Sequence, residues 1–181
     1  VQKTWNPRKE AGHVSWEKSY ESIDMETGDW LVLARTNYLL NGIEEHCRSE
    51  GWFYKTKNRN SVSEKKVKAV RDWEALRKGG EIPLVDLIKV LNYMRVSVPT
   101  SLERNDFDSN ISFEEAQSYL PELKQEYWYD LFDGISVSER SYIRAMLRRG
   151  EKITKEPRIK LSTIHAAKGG EAENVILLTD I

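Results

Sequence analysis

Residues 30–55 read WLVLARTNYLLNGIEEHCRSEGWFYK, and this stretch decides the fold. It opens on five apolar residues, 30–34, a pattern typical of a short strand buried on both faces. The next apolar residues recur at helical spacing, with charged residues between them: Leu39, Leu40, Ile43 and Cys47. Gly51 is then placed where a helix ends, and Trp52-Phe53-Tyr54 predicts a second strand. We therefore predict a strand–helix–strand unit over residues 30–55.

A second α/β segment closes the chain at residues 158–178, RIKLSTIHAAKGGEAENVILL. Polarity alternates from Arg158 to Ile164, which predicts a strand, and residues 175–178 predict another buried strand. A polar, glycine-rich loop separates them. We expect the two strands on either side of this loop to be adjacent, parallel neighbours. The chain stops at Ile181 directly after a strand, so we expect it to be a piece of a longer protein.

The middle of the chain is dominated by helical periodicity. Three Ser-x-x-Glu sequences, at Ser61, Ser112 and Ser136, match the capping box that starts a helix. The aromatic run at 127–129 has helical spacing with the apolar residues that follow, and we assign it to the core rather than to base stacking. The prediction is an α/β fold: a partial parallel sheet, 1–60 and 158–181, with a helical insertion over 61–157.

Composition narrows the classes of protein that fit. The chain has 181 residues, 39% hydrophobic and 31% charged, which is enough for one core. A formal net charge of −1 excludes a globally basic DNA-binding protein, and the single Cys47 excludes an intrachain disulfide or a Cys-rich zinc site. No apolar run approaches the length of a membrane span, and residues 1–10 lack the apolar core of a signal peptide. We expect a cytoplasmic protein with no membrane partner.

Charge is distributed in blocks along the chain. Residues 55–78 hold nine basic residues against three acids, and residues 140–160 hold eight against two. Between them, residues 103–133 hold nine acids against two bases. Two basic blocks around an acidic one are typical of a protein that presents positive faces to a polyanion. The alternative is that these charges are ordinary solvated helix faces.

The loop at 162–171 has the side chains of a phosphate-binding segment. Thr163 and His165 follow a strand, and ligands bind at the carboxyl ends of strands in open α/β sheets. Hydroxyl, imidazole and ammonium groups all donate hydrogen bonds to phosphate oxygens. Gly169-Gly170 allows close backbone approach, and Glu171 can accept a hydrogen bond from a ribose hydroxyl. The alternative is a polar connection with a capping glycine.

Residues 163–171, TIHAAKGGE, followed by an apolar strand, resemble motif V of the UvrD/Rep-type superfamily 1 DNA helicases. Residues 31–37, LVLARTN, resemble motif IVa of the same family, and the order and wide separation of the two motifs also fit. The resemblance implies the second RecA-like motor domain, with a shortened helical subdomain inserted between the motifs. Gly170 departs from the leucine that is usual in the family.

The resemblance also implies which residues contact nucleic acid. Asn37, Thr163 and His165 match family residues that contact single-stranded DNA. Lys168 matches a residue at the DNA or interdomain surface, and Arg35 lies beside Asn37. Each has a structural alternative: Asn37 as a helix cap, Thr163 as a strand-end hydroxyl, His165 in aromatic packing, Lys168 as a solvated charge, and Arg35 in an ion pair.

For the nucleotide, the resemblance implies that Glu171, with Gly169 beside it, meets the sugar of ATP. The intact protein would use ATP and Mg²⁺. This chain contains no G-x-x-x-x-G-K-[ST] phosphate loop, so we expect it neither to bind nor to hydrolyse ATP alone. Its partners would be single-stranded DNA and a missing first motor domain. Two alternatives remain: a non-catalytic helicase-like scaffold and, with no supporting catalytic motif, a stand-alone α/β enzyme.

Overall fold

Four parallel strands form the main sheet of the computed structural model, which describes residues 11–103, 109–153 and 155–179. Of the segments 1–60 and 158–181 predicted to form the sheet, residues 1–10 and 180–181 lie outside the described residues. The strands are β1 Trp30–Ala34, β2 Tyr54–Lys55, β5 Ile159–Thr163 and β6 Asn174–Leu178. Their order is β2-β5-β1-β6. The predicted α/β class with one parallel sheet is therefore confirmed, and the sheet combines both ends of the chain.

The position of β1 corrects one expectation. The strands that flank the glycine-rich loop, β5 and β6, are parallel, but they are not adjacent, because β1 lies between them. Val32 is in register with Leu161 on one side and with Ile176 on the other. Neighbouring strands lie about 4.8 Å apart, so the ten residues 164–173 easily span one intervening strand.

Helices occupy most of the chain between β1 and β5. They are α1 Leu40–Glu50, α2 Glu64–Arg77, α3 Leu84–Met94, α4 Thr100–Glu103, α5 Phe113–Tyr119, α6 Trp128–Leu131 and α7 Val137–Arg149. Two short 3₁₀ turns are at Tyr20–Ser22 and Asn37–Leu39. A small antiparallel ribbon joins β3 Ile82–Pro83 to β4 Asn110–Ile111. Within the described residues, no helix is both long enough and apolar enough to cross a membrane.

Two of the three predicted capping boxes lie at the start of a helix. Ser112 Oγ accepts from the Glu115 amide and Ser136 Oγ from the Glu139 amide, at 3.2 and 3.3 Å. The third prediction is wrong: α2 begins after Ser63, whose side chain makes no capping bond. The Ser61 hydroxyl instead lies 2.7 Å from the Tyr142 hydroxyl, a partner far along the chain.

One continuous hydrophobic cluster joins the sheet to the helical block. It includes the β1 and β5 side chains on one sheet face, α1 residues such as Ile43, and helical-block residues such as Trp73 and Phe132. The opposite sheet face is less covered. Val175 and Leu177 are 57% and 56% exposed, so the prediction that β6 is a strand buried on both faces is wrong: β6 is one of the two edge strands of the described sheet.

Candidate functional site

The two predicted motifs meet where the parallel strands end, at the side of the sheet that we call its carboxyl edge. Parallel strands end at the same edge, and the last residues of β1 and β5, Ala34 and Thr163, are register partners. The first residue beyond β5, Ile164, donates its amide to the Ala34 carbonyl at 2.9 Å. The segment after β1 that holds Arg35 and Asn37 and the loop after β5 therefore leave the carboxyl edge next to each other, where open α/β sheets bind ligands.

Thr163 shapes the start of the loop. Its carbonyl accepts the amides of Ala166 and Ala167, both at 3.0 Å. Its hydroxyl oxygen accepts the Ala166 amide as well, at 3.3 Å. The strand-end role considered for Thr163 is thus present. A hydroxyl that accepts one bond still has its own hydrogen to donate, so this geometry leaves it able to bond a ligand oxygen.

Exposed cationic and donor groups follow Thr163. His165 and Lys168 are both exposed. Among residues 11–103, 109–153 and 155–179, His165 has no ring contact with an aromatic side chain and Lys168 has no ion pair. The aromatic-packing alternative for His165 is therefore wrong, whereas Lys168 remains a solvated charge at the edge of the site.

Asn37 begins the 3₁₀ turn that leads into α1. Thr36 precedes that turn as its N-cap, and the N-cap of α1 itself is Leu39, with no side-chain capping bond. The alternative that Asn37 caps the helix is therefore wrong. Asn37 and Arg35 are both exposed, which leaves the side-chain amide and the guanidinium at the surface of the carboxyl edge.

The second half of the loop leads away from that edge. The Gly170 amide donates to the Ala167 carbonyl at 2.7 Å, and a Cβ at Gly170 would lie 3.7 Å from a methyl of Leu31. The same Cβ would lie only 3.0 Å from the Ala167 carbonyl oxygen, so glycine suits this tight turn. Farther on, the Glu173 carboxylate accepts the Asp29 amide at 3.4 Å, where β1 begins. The loop thus crosses the Leu31 face of the sheet toward the amino edge.

Glu171 lies on this returning stretch and is exposed. Gly169 precedes it with φ +84° and open space around its Cβ position. The structure therefore brings Arg35, Asn37, Thr163 and His165 to one edge and places Gly169 and Glu171 along the path across the sheet. A single carboxylate beside an open glycine fits a sugar hydroxyl.

A metal-bound triphosphate is a poorer fit to the same residues. Glu171 is the single carboxylate of the loop segment 163–171, and hard cations such as Mg²⁺ take several oxygen ligands. The described ranges hold no group of three or more His, Cys, Asp or Glu side chains placed to bind a metal ion.

Eight of the seventeen cations of the two basic blocks form ion pairs within the described part of the chain. Lys66 pairs with Glu139, Lys68 with Asp86, and Arg149 with Glu50, at 2.5–2.7 Å. In the first block, four cations form no ion pair within the described part of the chain: Lys57, Arg59, Lys65 and Arg71. The basic block is visible in the sequence. Which of its cations form ion pairs is not, because several of their acidic partners lie far away along the chain.

The candidate site therefore rests on two loops at one sheet edge and on the returning stretch that holds Glu171. Comparisons with protein-family models, with curated proteins and with solved structures found no match for this chain.

Proposed function

We propose that this chain is part of the second, RecA-like motor domain of an ATP-dependent DNA translocase of the UvrD/Rep type. One observation carries the proposal. The segments that resemble motifs IVa and V follow register-paired parallel strands and leave the sheet together at its carboxyl edge. Two short segments far apart in sequence need not have met, and the proposed function requires that they do.

The carboxyl edge would form part of a track for single-stranded DNA. Phosphate oxygens accept hydrogen bonds, and the side chains here carry donors: the Arg35 guanidinium, the Asn37 amide, the half-buried Thr163 hydroxyl, the His165 imidazole and the Lys168 ammonium. Contacts of this kind read the backbone rather than the bases. We therefore expect binding that is indifferent to sequence and weakens with salt.

The returning stretch would form one wall of a nucleotide cleft. Glu171 would accept a hydrogen bond from the sugar of ATP, with Gly169 giving open space beside it. The phosphate loop and the Mg²⁺ ligands would come from the missing first motor domain, and the bound nucleotide would supply the free energy for movement. Because residues 164–173 connect the two contacts, a ligand at Glu171 and a strand at His165 bias the same segment.

A helicase-like scaffold without activity is the second candidate. Gly170 favours it, because a leucine there would bring its Cβ within 3.0 Å of the Ala167 carbonyl, so the loop differs locally from the family pattern. A scaffold of this kind would keep the fold without binding DNA at the carboxyl edge.

The test is a fluorescence anisotropy titration of labelled oligo-dT at low salt. His165→Ala and Asn37→Ala each remove one donor, worth about 1 kcal/mol, so we expect each to weaken the affinity about fivefold. His13→Ala is the matched control, since His13 is an exposed histidine far from the strand ends in sequence. Binding unchanged in both edge variants would refute the DNA track, and no binding by the parent chain would favour the scaffold.

A further inference from the structure

A cleft of about 660 Å³ lies next to the turn that follows β2, and none of its lining residues belongs to the motif loops. It is lined by the turn at 59–63, by the first residues of α2, by the start of α7 and by Arg48 of α1. The lining includes Arg59 and Lys65, two of the four cations of the first basic block without an ion pair in the described residues. Both side chains are exposed, so this cleft presents two cations of the block to a ligand.

The cations are held at the cleft by structured elements. Arg59 belongs to a tight turn in which the Thr56 amide donates to the Arg59 carbonyl at 2.9 Å, next to a bridge between Lys55 and Asn60. The Arg48 guanidinium lies 5.1 Å from the ring centre of Tyr142, a cation–π contact that orients it at the cleft wall. Lys65 stands in the first turn of α2.

Backbone groups add to the positive potential. The α2 helix has 14 residues, and its N-cap Ser63 makes no side-chain bond, so its first-turn amides are not capped by that hydroxyl. The α7 helix begins in the same cleft at Ser136. Two helix N-termini therefore add their partial positive charges to those of the side chains.

Acidic residues do not cancel this charge. Two carboxylates line the cleft, those of Glu64 and Glu139. The Glu139 carboxylate is already neutralised by Lys66, with both oxygens within 2.8 Å of the ammonium. Three cations, from Arg48, Arg59 and Lys65, then face a single carboxylate, Glu64. Such an excess of donors favours an oxyanion with several acceptor oxygens.

We propose that this cleft binds the phosphodiester groups of a nucleic-acid strand. Guanidinium, ammonium and hydroxyl groups on an open surface are the contacts that position a backbone, and no base-reading geometry is needed. The proposal goes beyond the motor-domain assignment, because it uses none of the carboxyl-edge residues. The two can therefore fail separately.

The experiment measures binding of labelled oligo-dT to the intact chain over a salt series. Arg59→Ala with Lys65→Ala removes two cleft cations. We expect the affinity to fall tenfold or more, and the slope of log affinity against log salt to flatten by about 1.4, which is about 0.7 for each lost single-strand contact. The matched control is Lys78→Ala with Lys124→Ala. It removes two lysines that are 70% and 71% exposed and lie 3.8–3.9 Å from their partners.

A second variant separates binding from folding. Ser63→Asp places a carboxylate at the N-cap of α2, which stabilises a helix start but repels phosphate. We expect the thermal midpoint to be unchanged or raised, while oligo-dT binding weakens. Preserved binding in this variant would contradict the proposal.

The remaining outcomes are equally decisive. Equal weakening by the cleft and control pairs would reduce the effect to net charge and overturn the proposal, as would no weakening by the cleft pair. Inorganic phosphate at matched ionic strength should not displace the oligonucleotide; if it does, the ligand is an isolated phosphate. Displacement by poly-glutamate as effective as by unlabelled oligo-dT would identify an acidic-peptide surface instead. Loss of binding in the cleft pair but in neither His165→Ala nor Asn37→Ala would support the cleft and refute the track.

Discussion

Tyr142 of α7 connects the sheet edge to the entry of α2, and its hydroxyl gives the sharpest test of the packing. The phenol donates to the Trp52 carbonyl at 2.6 Å, and its oxygen lies 2.7 Å from Ser61 Oγ. The side chain is buried, and burial raises the pKa of Tyr142, so the group stays protonated and able to donate at neutral pH. Tyr142→Phe removes only this hydroxyl.

The expected loss follows from these two contacts. A net hydrogen bond is worth about 1 kcal/mol, and a buried carbonyl deprived of its donor adds a cost of similar size, so we expect about 2 kcal/mol of lost stability. With a urea dependence of about 2 kcal/mol per molar, the unfolding midpoint should fall by about 1 M. Tyr38→Phe, at a side chain 79% exposed, should change stability by less than about 0.5 kcal/mol.

Urea unfolding followed by tryptophan fluorescence measures both variants. A double-mutant cycle with Ser61→Ala should give a coupling of about 0.5–1.5 kcal/mol, because the two hydroxyls contact each other. A Tyr142→Phe midpoint equal to that of the parent, or strict additivity with Ser61→Ala, would refute the reasoning.

Two further predictions concern Gly51, which ends α1, and the thiol of Cys47, which lies within α1. Gly51 and Gly150 both end helices with φ near +70°, so alanine at either costs about 1 kcal/mol; at Gly51 its Cβ would also lie 2.8 Å from the Ala145 carbonyl carbon. Urea unfolding should therefore show Gly51→Ala to be the more destabilising by at least about 1 kcal/mol, and equal losses would count against the packing. Burial raises the pKa of Cys47 to about 12 in the folded chain, whereas a cysteine in the unfolded chain has a pKa of about 8.5. The protonated thiol therefore contributes stability below about pH 8.5, and this contribution is lost as the pH rises toward 12. Between about pH 9 and 10, the unfolding free energy of the parent should therefore fall with pH more steeply than that of Cys47→Ala, by about 1 kcal/mol per pH unit. Equal slopes in the parent and the variant would contradict a buried, protonated thiol.

Local sequence patterns predicted which helices and strands form better than they predicted which strands lie next to each other in the sheet. The apolar run of β1 and the helical spacing before Gly51 depend on residues close in sequence, and both predicted elements are present. Strand order depends on pairing across the whole chain, so the insertion of β1 between β5 and β6 could not be predicted from the loop. An apolar run also does not show which sheet face is covered, so the run at 175–178 predicts an interior strand although β6 lies at an edge.

The same division holds for the candidate site. The positions of Arg35, Asn37, Thr163 and His165 at one edge follow from strand ends, which the sequence marks clearly. The capping role expected of Ser61 failed because its hydroxyl contacts Tyr142, a residue 81 positions away. The available cations of the cleft were hidden for the same reason, since distant acids such as Glu139 decide which lysines are neutralised.

The central place of β1 has a consequence for how this polypeptide is made. Every pairing within the four-stranded sheet includes β5 or β6, so β1 emerges from the ribosome long before any partner strand exists. At about 5–20 residues per second, this apolar segment waits on the order of ten seconds with both edges unsatisfied. The nascent chain is therefore most prone to aggregate during that interval, and any truncation before Ile159 makes the interval permanent.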